Sequence, residues 1–218
     1  MAVLDGPRFG PASGGAARQL VVLAHGLGAD GHDLIDLAPQ WSRALPDGLF
    51  VAPDAPEPSE GTPFGRQWFA LWDRSPEQLA LGVAAGAAAL NGFVDAELLR
   101  LGLPPDRVAL MGFSQGAMVS LHAGLRRTVP PRAILAYAGA LLDPDLPRLL
   151  APPPVLLVHG EDDAVVPPAA SQRAAEILAA AGVSVELLLR PRLGHGLDDA
   201  GLSAGALFLQ RAFSRDAV

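Results

Sequence analysis

Six short, nearly continuous apolar runs constrain the fold of this chain more than any other feature of its sequence. They cover 19–26, 49–56, 107–114, 133–141, 154–163 and 183–191. A strand exposed on one face alternates apolar and polar residues, whereas unbroken apolar runs are typical of parallel strands covered on both faces. The pattern predicts an α/β fold, a three-layer sandwich around a mostly parallel central sheet with right-handed crossovers.

Longer segments with helical spacing separate most of these runs. They cover 32–45, 76–102, 115–127, 170–182 and 206–215. Residues 1–18 are predicted to form an edge strand or a loose tail. The long connection 53–76 holds two of the three tryptophans, so it is predicted to be an active-site loop. A chain of 218 residues favours one domain over 1–218.

Composition excludes several classes of function. The absence of cysteine removes disulfides, thiolate catalysis and cysteine-based metal sites. A net charge of −7 argues against a general affinity for nucleic acid. No apolar stretch approaches the roughly 20 residues that a membrane span requires, so no stable membrane insertion is expected. The N-terminus lacks the basic start and long apolar segment of a secretory signal. The expectation is a cytoplasmic protein without a metal site, since no histidine or carboxylate grouping has metal-binding spacing.

The sequence GFSQG at 112–116 has the G-x-S-x-G pattern of a sharp strand-to-helix turn that exposes a strained serine. A second match, GLSAG at 201–205, follows a polar loop instead of a buried strand. Context therefore selects Ser114 as the candidate nucleophile. Ser203 is interpreted as a helix N-cap.

A serine nucleophile needs a base and an acid that orients the base. Of the five histidines, His195 lies in a glycine-flanked loop after the last strand, where it can reach the carboxyl edge of the sheet. The loop after the penultimate strand offers Asp163, with Asp162 as the alternative. His25 and His159 are interpreted as turn residues. His32 is interpreted as a helix-opening residue, and His122 as a packed or surface residue.

Acyl transfer also needs donors for the developing oxyanion. The backbone N–H of Gln115 follows the serine at the start of a helix, and Leu27 N–H lies in a glycine-rich loop after an early strand. A plain strand-to-helix turn is the alternative for the second loop. Apolar residues that could line a slot for an acyl chain, with core packing as the alternative, are Phe64, Trp68, Phe69, Leu71, Trp72, Leu27, Phe113, Val165, Val166 and Leu197.

Five blocks together resemble the phospholipase/carboxylesterase family. They read HGLGADGHDLIDLA, FGRQWFALWD, ALMGFSQGAMVSL, VLLVHGEDDAVVP and GHGL, in the family's order, within residues 19–213. The resemblance implies an α/β-hydrolase fold without a large cap, no cofactor, and hydrolysis of carboxylic or thioesters. It assigns Ser114, Asp163 and His195 to the triad, and Leu27 with Gln115 to the oxyanion hole. Family members often form homodimers, which adds a homodimer as an expectation.

These inferences predict a serine carboxylesterase that hydrolyses short-to-medium acyl esters through an acyl-enzyme. A lysophospholipase or acyl-thioesterase acting on long chains is the alternative within the same chemistry. A non-catalytic binding module with this fold is the alternative from another class, and the filled triad positions weigh against it. The predicted partner is a small-molecule acyl ester.

Overall fold

The computed structural model describes residues 4–147 and 151–214, and its centre is a seven-stranded sheet. In chain order the strands are β1 (Arg8–Phe9), β2 (Gln19–Ala24), β3 (Gly48–Val51), β4 (Glu57–Pro58), β5 (Arg66–Gln67), β6 (Val108–Phe113), β7 (Ala133–Tyr137), β8 (Val155–Gly160) and β9 (Val185–Arg190). The helices are α1 (Gly31–Ile35), α2 (Ala38–Trp41), α3 (Pro76–Leu101), α4 (Gln115–Arg126), α5 (Ala169–Ala180) and α6 (Asp199–Ser214).

The large sheet has the order β1-β3-β2-β6-β7-β8-β9, and only the pairing of β1 with β3 is antiparallel. In the register of β2 with β6, Ala24 lies beside Gly112, and Phe113 lies beside Tyr137 of β7. The carboxyl ends of β2, β6 and β8 therefore meet at one edge. Residues that follow these three strands are brought together there.

Helices cover both faces of the sheet, as the unbroken apolar strands require. One face packs against α1, α2 and α6, with Trp41 and Tyr137 at its centre. The other face packs against α3, α4 and α5. The α/β-hydrolase architecture predicted from the sequence is confirmed, and no large cap domain is present among the described residues.

Three elements differ from the sequence prediction. The segment 32–45 forms two short helices, because α1 ends at Ile35 and a separate turn opens α2. The last helix begins at Asp199, with the N–H of Gly201 bonded to Asp198 Oδ1. Ser203 therefore lies inside α6, and its interpretation as an N-cap is wrong. Strand β9 is an edge strand, and its residues are half-buried or exposed, Glu186 and Leu187 among the exposed ones, so it is not the fully buried strand that its apolar run predicts.

Helix α3 corrects the expectation that no segment is long and apolar enough for a membrane. Its 26 residues include an 18-residue window of mean hydropathy 1.5, enough to cross a membrane by length and composition. In the structure, however, Val83, Leu90 and Val94 of α3 pack against strands β2 and β6. A helix that packs in an α/β protein can have the same length and hydropathy, so α3 is weak evidence for membrane insertion.

A buried carboxylate ties the N-terminal segment to α3. Glu97, 5% exposed, accepts hydrogen bonds from Arg8 at 2.8 Å and from Arg100 at 2.7 Å. Burial alone raises the pKa of Glu97, but the hydrogen bonds from the two arginines outweigh it and hold the pKa below its usual value. The stabilisation is therefore complete above the pKa of the unfolded chain and is lost as pH falls through the folded value.

Glu97→Gln is expected to lower Tm at pH 7 by about 3 °C, which corresponds to about 1 kcal/mol for a domain of this size. The difference from wild type should shrink as pH falls below 4.5, the ordinary value for glutamate. Thermal melts at pH 7 and at about pH 3.5 measure it. Glu186→Gln is the control, because its pair with Arg211 is exposed and worth little. An equal Tm loss at both pH values would contradict the ionic origin.

Candidate active site

Ser114 occupies the turn between β6 and α4 in a strained backbone conformation, with φ 52° and ψ −116°. A side chain at Gly112 would collide with the carbonyl of Gly116, and one at Gly116 would collide with the carbonyl of Ala24. Both glycines are therefore needed for strand and helix to approach so closely. The Ser114 N–H donates to the carbonyl of Tyr137 at 2.9 Å, which fixes the turn to the neighbouring strand.

The structure brings Ser114, His195 and Asp163 into one chain of contacts. His195 Nε2 lies 2.9 Å from Ser114 Oγ, and His195 Nδ1 lies 2.7 Å from Asp163 Oδ2. With a proton on Nδ1, the imidazole donates to the carboxylate and leaves Nε2 free to accept the serine proton. The His195 ring packs against Phe113 with centroids 4.9 Å apart, which limits its rotation.

Asp163 is held as a carboxylate in a site that is 6% exposed. Its Oδ1 accepts the N–H groups of Val165 and Val166, both at 2.9 Å. Burial by itself raises the pKa of Asp163, but the hydrogen bonds from His195, Val166 and Val165 outweigh burial and hold the pKa below its usual value. The group is therefore ionised at neutral pH and able to orient an imidazole.

The loop that carries His195 is fixed to the loop that carries the acid. The N–H of Asp162 donates to the carbonyl of Leu193 at 3.0 Å. A side chain at Gly160 would collide with the carbonyls of Leu193 and Gly194, so this glycine permits the approach. The side chain of Asp162, the alternative acid, is exposed and is not part of the chain of contacts with His195.

The two predicted oxyanion donors lie on either side of the elbow. Gln115 is the first residue of α4, where backbone N–H groups have no partner within the helix. Leu27 follows Gly26, and a side chain at Gly26 would crowd Phe113 and Ser114, so the loop runs directly past the serine. Gly28, with φ +82°, donates its N–H to the carbonyl of Arg66 at 2.8 Å and closes this loop.

A buried hydrogen-bond network joins the two donor loops, and sequence reasoning did not find it. The Gln115 side chain accepts the N–H of Trp68 at 2.8 Å and donates to the carbonyl of Phe69 at 2.7 Å. The indole N–H of Trp68 donates to the carbonyl of His25 at 2.9 Å. His25 lies between an acceptor, the Gly26 carbonyl, and a donor N–H, so it is neutral with its proton on Nδ1. Burial lowers the pKa of His25 and keeps it neutral.

This network corrects two of the predicted lining residues. Trp68 and Phe69 are 1% and 3% exposed and belong to the core under α3, because their backbone is held inward by Gln115. Leu71 is half-buried against the same core. The predicted lining residues that do have exposed side chains are Leu27, Phe64, Trp72 and Val165. Phe113, Val166 and Leu197 are half-buried around the His195 and Asp163 loops.

An open groove of about 580 Å³ runs beside the loop that follows Leu27. It is lined by Gly28, Ala29, Asp30, His32, Asp33, Thr62, Pro63, Phe64 and Gly65. His32 is the second residue of α1, whose N-cap is Asp30. Among the described residues, no group of three or more histidine, aspartate or glutamate side chains could hold a metal ion.

Trp68→Phe is expected to lower kcat about tenfold with little change in KM, because the His25 carbonyl loses its donor and the loop of Leu27 is less well fixed. Steady-state kinetics on a p-nitrophenyl ester measure the effect. Trp41→Phe is the matched control: its indole also donates to a buried carbonyl, that of Leu202 at 3.0 Å, outside the active-site loops. The control should lose stability and keep kcat; equal kcat losses would contradict the positioning role of Trp68.

The fold and the elbow at the edge of its sheet are those of an α/β-hydrolase. The phospholipase/carboxylesterase family matches residues 11–212. This chain belongs to that family, so the resemblance predicted from five sequence blocks is confirmed.

Individual relatives are named as esterases and thioesterases. Acyl-protein thioesterase 1 of Schizosaccharomyces pombe is 35% identical over 131 residues, 56% of this chain, and the match spans 55% of the length of that relative. Esterase YpfH of Escherichia coli is 29% identical over 184 residues, 84% of this chain and 78% of that protein. The structure of esterase PE8 superposes with a TM-score of 0.90 at 39% identity, covering 97% of this chain and 100% of that one.

Proposed function

We propose that this protein is a serine carboxylesterase that hydrolyses short-to-medium acyl esters through an acyl-enzyme. The observation that carries the proposal is the contact chain from Ser114 through His195 to Asp163, with separations of 2.9 and 2.7 Å. A neutral imidazole between a strained serine and an ionised carboxylate is the arrangement that activates a hydroxyl.

In the first half of the reaction, His195 Nε2 takes the proton of Ser114 Oγ as the oxygen attacks the ester carbonyl carbon. The oxyanion that forms is held by the N–H groups of Leu27 and Gln115. When the tetrahedral intermediate collapses, the carbon–oxygen bond to the alcohol breaks, and His195 gives its proton to the leaving oxygen. Water then repeats the attack on the acyl-enzyme with His195 as base, releasing the acid and restoring Ser114.

A preference for short-to-medium acyl chains is supported by the surroundings of the serine. Trp68 and Phe69 pack into the core, so they cannot wall a deep tunnel. The groove beside the loop that follows Leu27 is open, and Phe64 at its rim is 93% exposed. In such an open groove, Phe64 can contact a short acyl chain or a small alcohol, while a long chain would stay largely in water.

Long-chain acyl-thioester or lysophospholipid hydrolysis is the second candidate, favoured by the similarity to acyl-protein thioesterase 1. The exposed side chains of Trp72 and Val165 could hold a long chain along the surface. A non-catalytic binding role is the third candidate, and the contact chain at Ser114 weighs against it.

We further propose that the protein is a single soluble, cytoplasmic domain that needs no cofactor and takes a small-molecule ester as its substrate. A homodimer is also proposed, and sedimentation tests it.

The proposal is tested by kcat/KM on p-nitrophenyl esters of increasing acyl length, with a matched thioester at each length. A maximum at short chains with weak thioester turnover supports the carboxylesterase. Efficiency that still climbs at long chains, thioesters included, supports the second candidate. Absence of turnover, together with no labelling by a fluorophosphonate probe, would support the binding module and reject an enzyme.

A further inference from the structure

A second histidine contacts the carboxylate of Asp163, and the mechanism above does not use it. His159, on β8, is 1% exposed, and its Nε2 lies 3.2 Å from Asp163 Oδ2. This is the same oxygen that His195 Nδ1 approaches at 2.7 Å. Within the described residues, both ion-pair contacts of Asp163 are therefore with imidazoles: His195 is half-buried and His159 is fully buried.

The hydrogen bonds of His159 fix its proton. Nε2 lies 2.8 Å from the carbonyl oxygen of Val166, and Nδ1 lies 2.7 Å from the hydroxyl of Ser171. Because Nε2 faces two acceptors, the Val166 carbonyl and the Asp163 carboxylate, it carries a proton in either charge state of the ring. The hydroxyl of Ser171 can donate to Nδ1 or, at 3.4 Å, to the carbonyl of Gly139, so it tolerates either state.

His159 also closes the turn that holds the acid. Val166 donates its N–H to Asp163 Oδ1, and its carbonyl accepts from His159. Two hydrogen bonds thereby fix the turn 163–166. One runs from the Val166 N–H to the Asp163 carboxylate, and the other runs from the His159 imidazole to the Val166 carbonyl. Other charged groups near this turn are Glu161 and Asp162, exposed on the same loop, and Arg190 of β9, which is paired with Asp198.

We propose that His159 is a positioning residue of the esterase centre, one that fixes the 163–166 turn and shares the negative charge of Asp163 with His195. It acts through Asp163 and touches no reacting atom. The proposal rests on the proposed function, since it assigns His159 a part in the same proton transfer. It predicts that removing the Nε2 donor changes the protonation behaviour of the active site as well as the stability of the fold.

The direction of that change follows from the charge of the carboxylate. With one donor fewer, the negative charge of Asp163 is less dispersed and attracts the imidazolium form of His195 more strongly. His195 then stays protonated to higher pH, and protonated His195 cannot act as base. The acidic limb of kcat/KM against pH should therefore move upward.

Two amide variants separate the role of Nε2 from the role of the rest of the ring. In His159→Gln the side-chain N–H₂ can reach the position of Nε2, whereas in His159→Asn it reaches only that of Nδ1. With p-nitrophenyl butyrate, His159→Asn should move the acidic limb upward by about 0.5 pH unit. It should also lower kcat about tenfold with KM unchanged. In His159→Gln, the acidic limb of the pH profile should stay nearer its wild-type position, and kcat should fall less than in His159→Asn.

Ser171→Ala is the matched control. It removes the partner of His159 Nδ1 at the same buried place and leaves the contacts of Asp163 intact. The control should lower Tm and leave the limb in place. If His159→Asn and His159→Gln lower kcat equally with the limb unmoved, His159 is a packing residue and the proposal is overturned.

A measurement on the wild-type protein needs no variant to fold. Histidine ¹⁵N–¹H NMR across the titration of His195 should show the Nε2–H resonance of His159 moving with the same midpoint, because both imidazoles contact Asp163 Oδ2. A His159 resonance that ignores the titration would overturn the proposal. This readout does not depend on ester turnover, so it separates a failure of this inference from a failure of the esterase assignment.

Discussion

Ser114→Ala is expected to lower kcat by about 10⁶-fold, the size of loss found when a triad serine is removed. The loss is this large because no other group at the elbow can form the acyl-enzyme, and direct attack by water then has only the oxyanion donors to assist it. The variant should fold, since Ser114 is half-buried and its backbone N–H, which bonds the Tyr137 carbonyl, is retained. The strain at φ 52° remains with alanine in place.

The measurement is the steady-state rate on a p-nitrophenyl ester, together with labelling by a fluorophosphonate probe. Ser203→Ala is the matched control because Ser203 also lies in a G-x-S-x-G pattern, while the structure places it inside α6. The control should retain activity and labelling. Retention of most activity by Ser114→Ala, or loss in Ser203→Ala alone, would reject the assignment of the nucleophile.

The fold was predictable because the central strands of its large sheet each carry their own signal. Strands β2, β3, β6, β7 and β8 are buried on both faces and read as unbroken apolar runs. Since parallel strands present their carboxyl ends at one edge, the order of Ser114, Asp163 and His195 along the chain was enough to predict that they meet. The distances that join them had to come from the structure.

Where the prediction failed, the cause was tertiary packing. Gly201 and Gly205 weaken the helical pattern of α6. Gly205 is nevertheless required, because a side chain there would collide with Tyr137 and Trp41. Strand β9 reads as apolar although it lies at the edge of the sheet. Sequence order cannot show which strand is outermost.

Trp68 and Phe69 were predicted to line the pocket for a related reason. Tryptophan in a long loop indicates a pocket wall as readily as it indicates a buried anchor, and composition does not separate the two. The deciding contacts run from Trp68 to the side chain of Gln115 and to the carbonyl of His25, residues far apart in the chain. The sequence did show a histidine before a glycine at the ends of β2 and β8. That pattern does not identify the residues to which each histidine is hydrogen-bonded.

Asp163→Asn is expected to lower kcat about 10⁴-fold by reversing the tautomer of His195. The amide oxygen should take the place of Oδ1, where the N–H groups of Val165 and Val166 need an acceptor. The amide N–H₂ then faces His195 Nδ1, which must accept instead of donate. The imidazole proton moves to Nε2, so the atom beside Ser114 Oγ can no longer accept a proton.

The same orientation places two donors, the amide N–H₂ and His159 Nε2–H, against each other, so Asp163→Asn should also lose stability. Asp162→Asn is the control: it makes the same chemical change one residue away on an exposed side chain, and kcat and Tm should stay near wild type. Kinetics on a p-nitrophenyl ester and thermal melts measure both variants. If Asp163→Asn keeps more than about a tenth of kcat, the contact at 2.7 Å does not set the tautomer. A large loss in Asp162→Asn instead would move the acid to the neighbouring position.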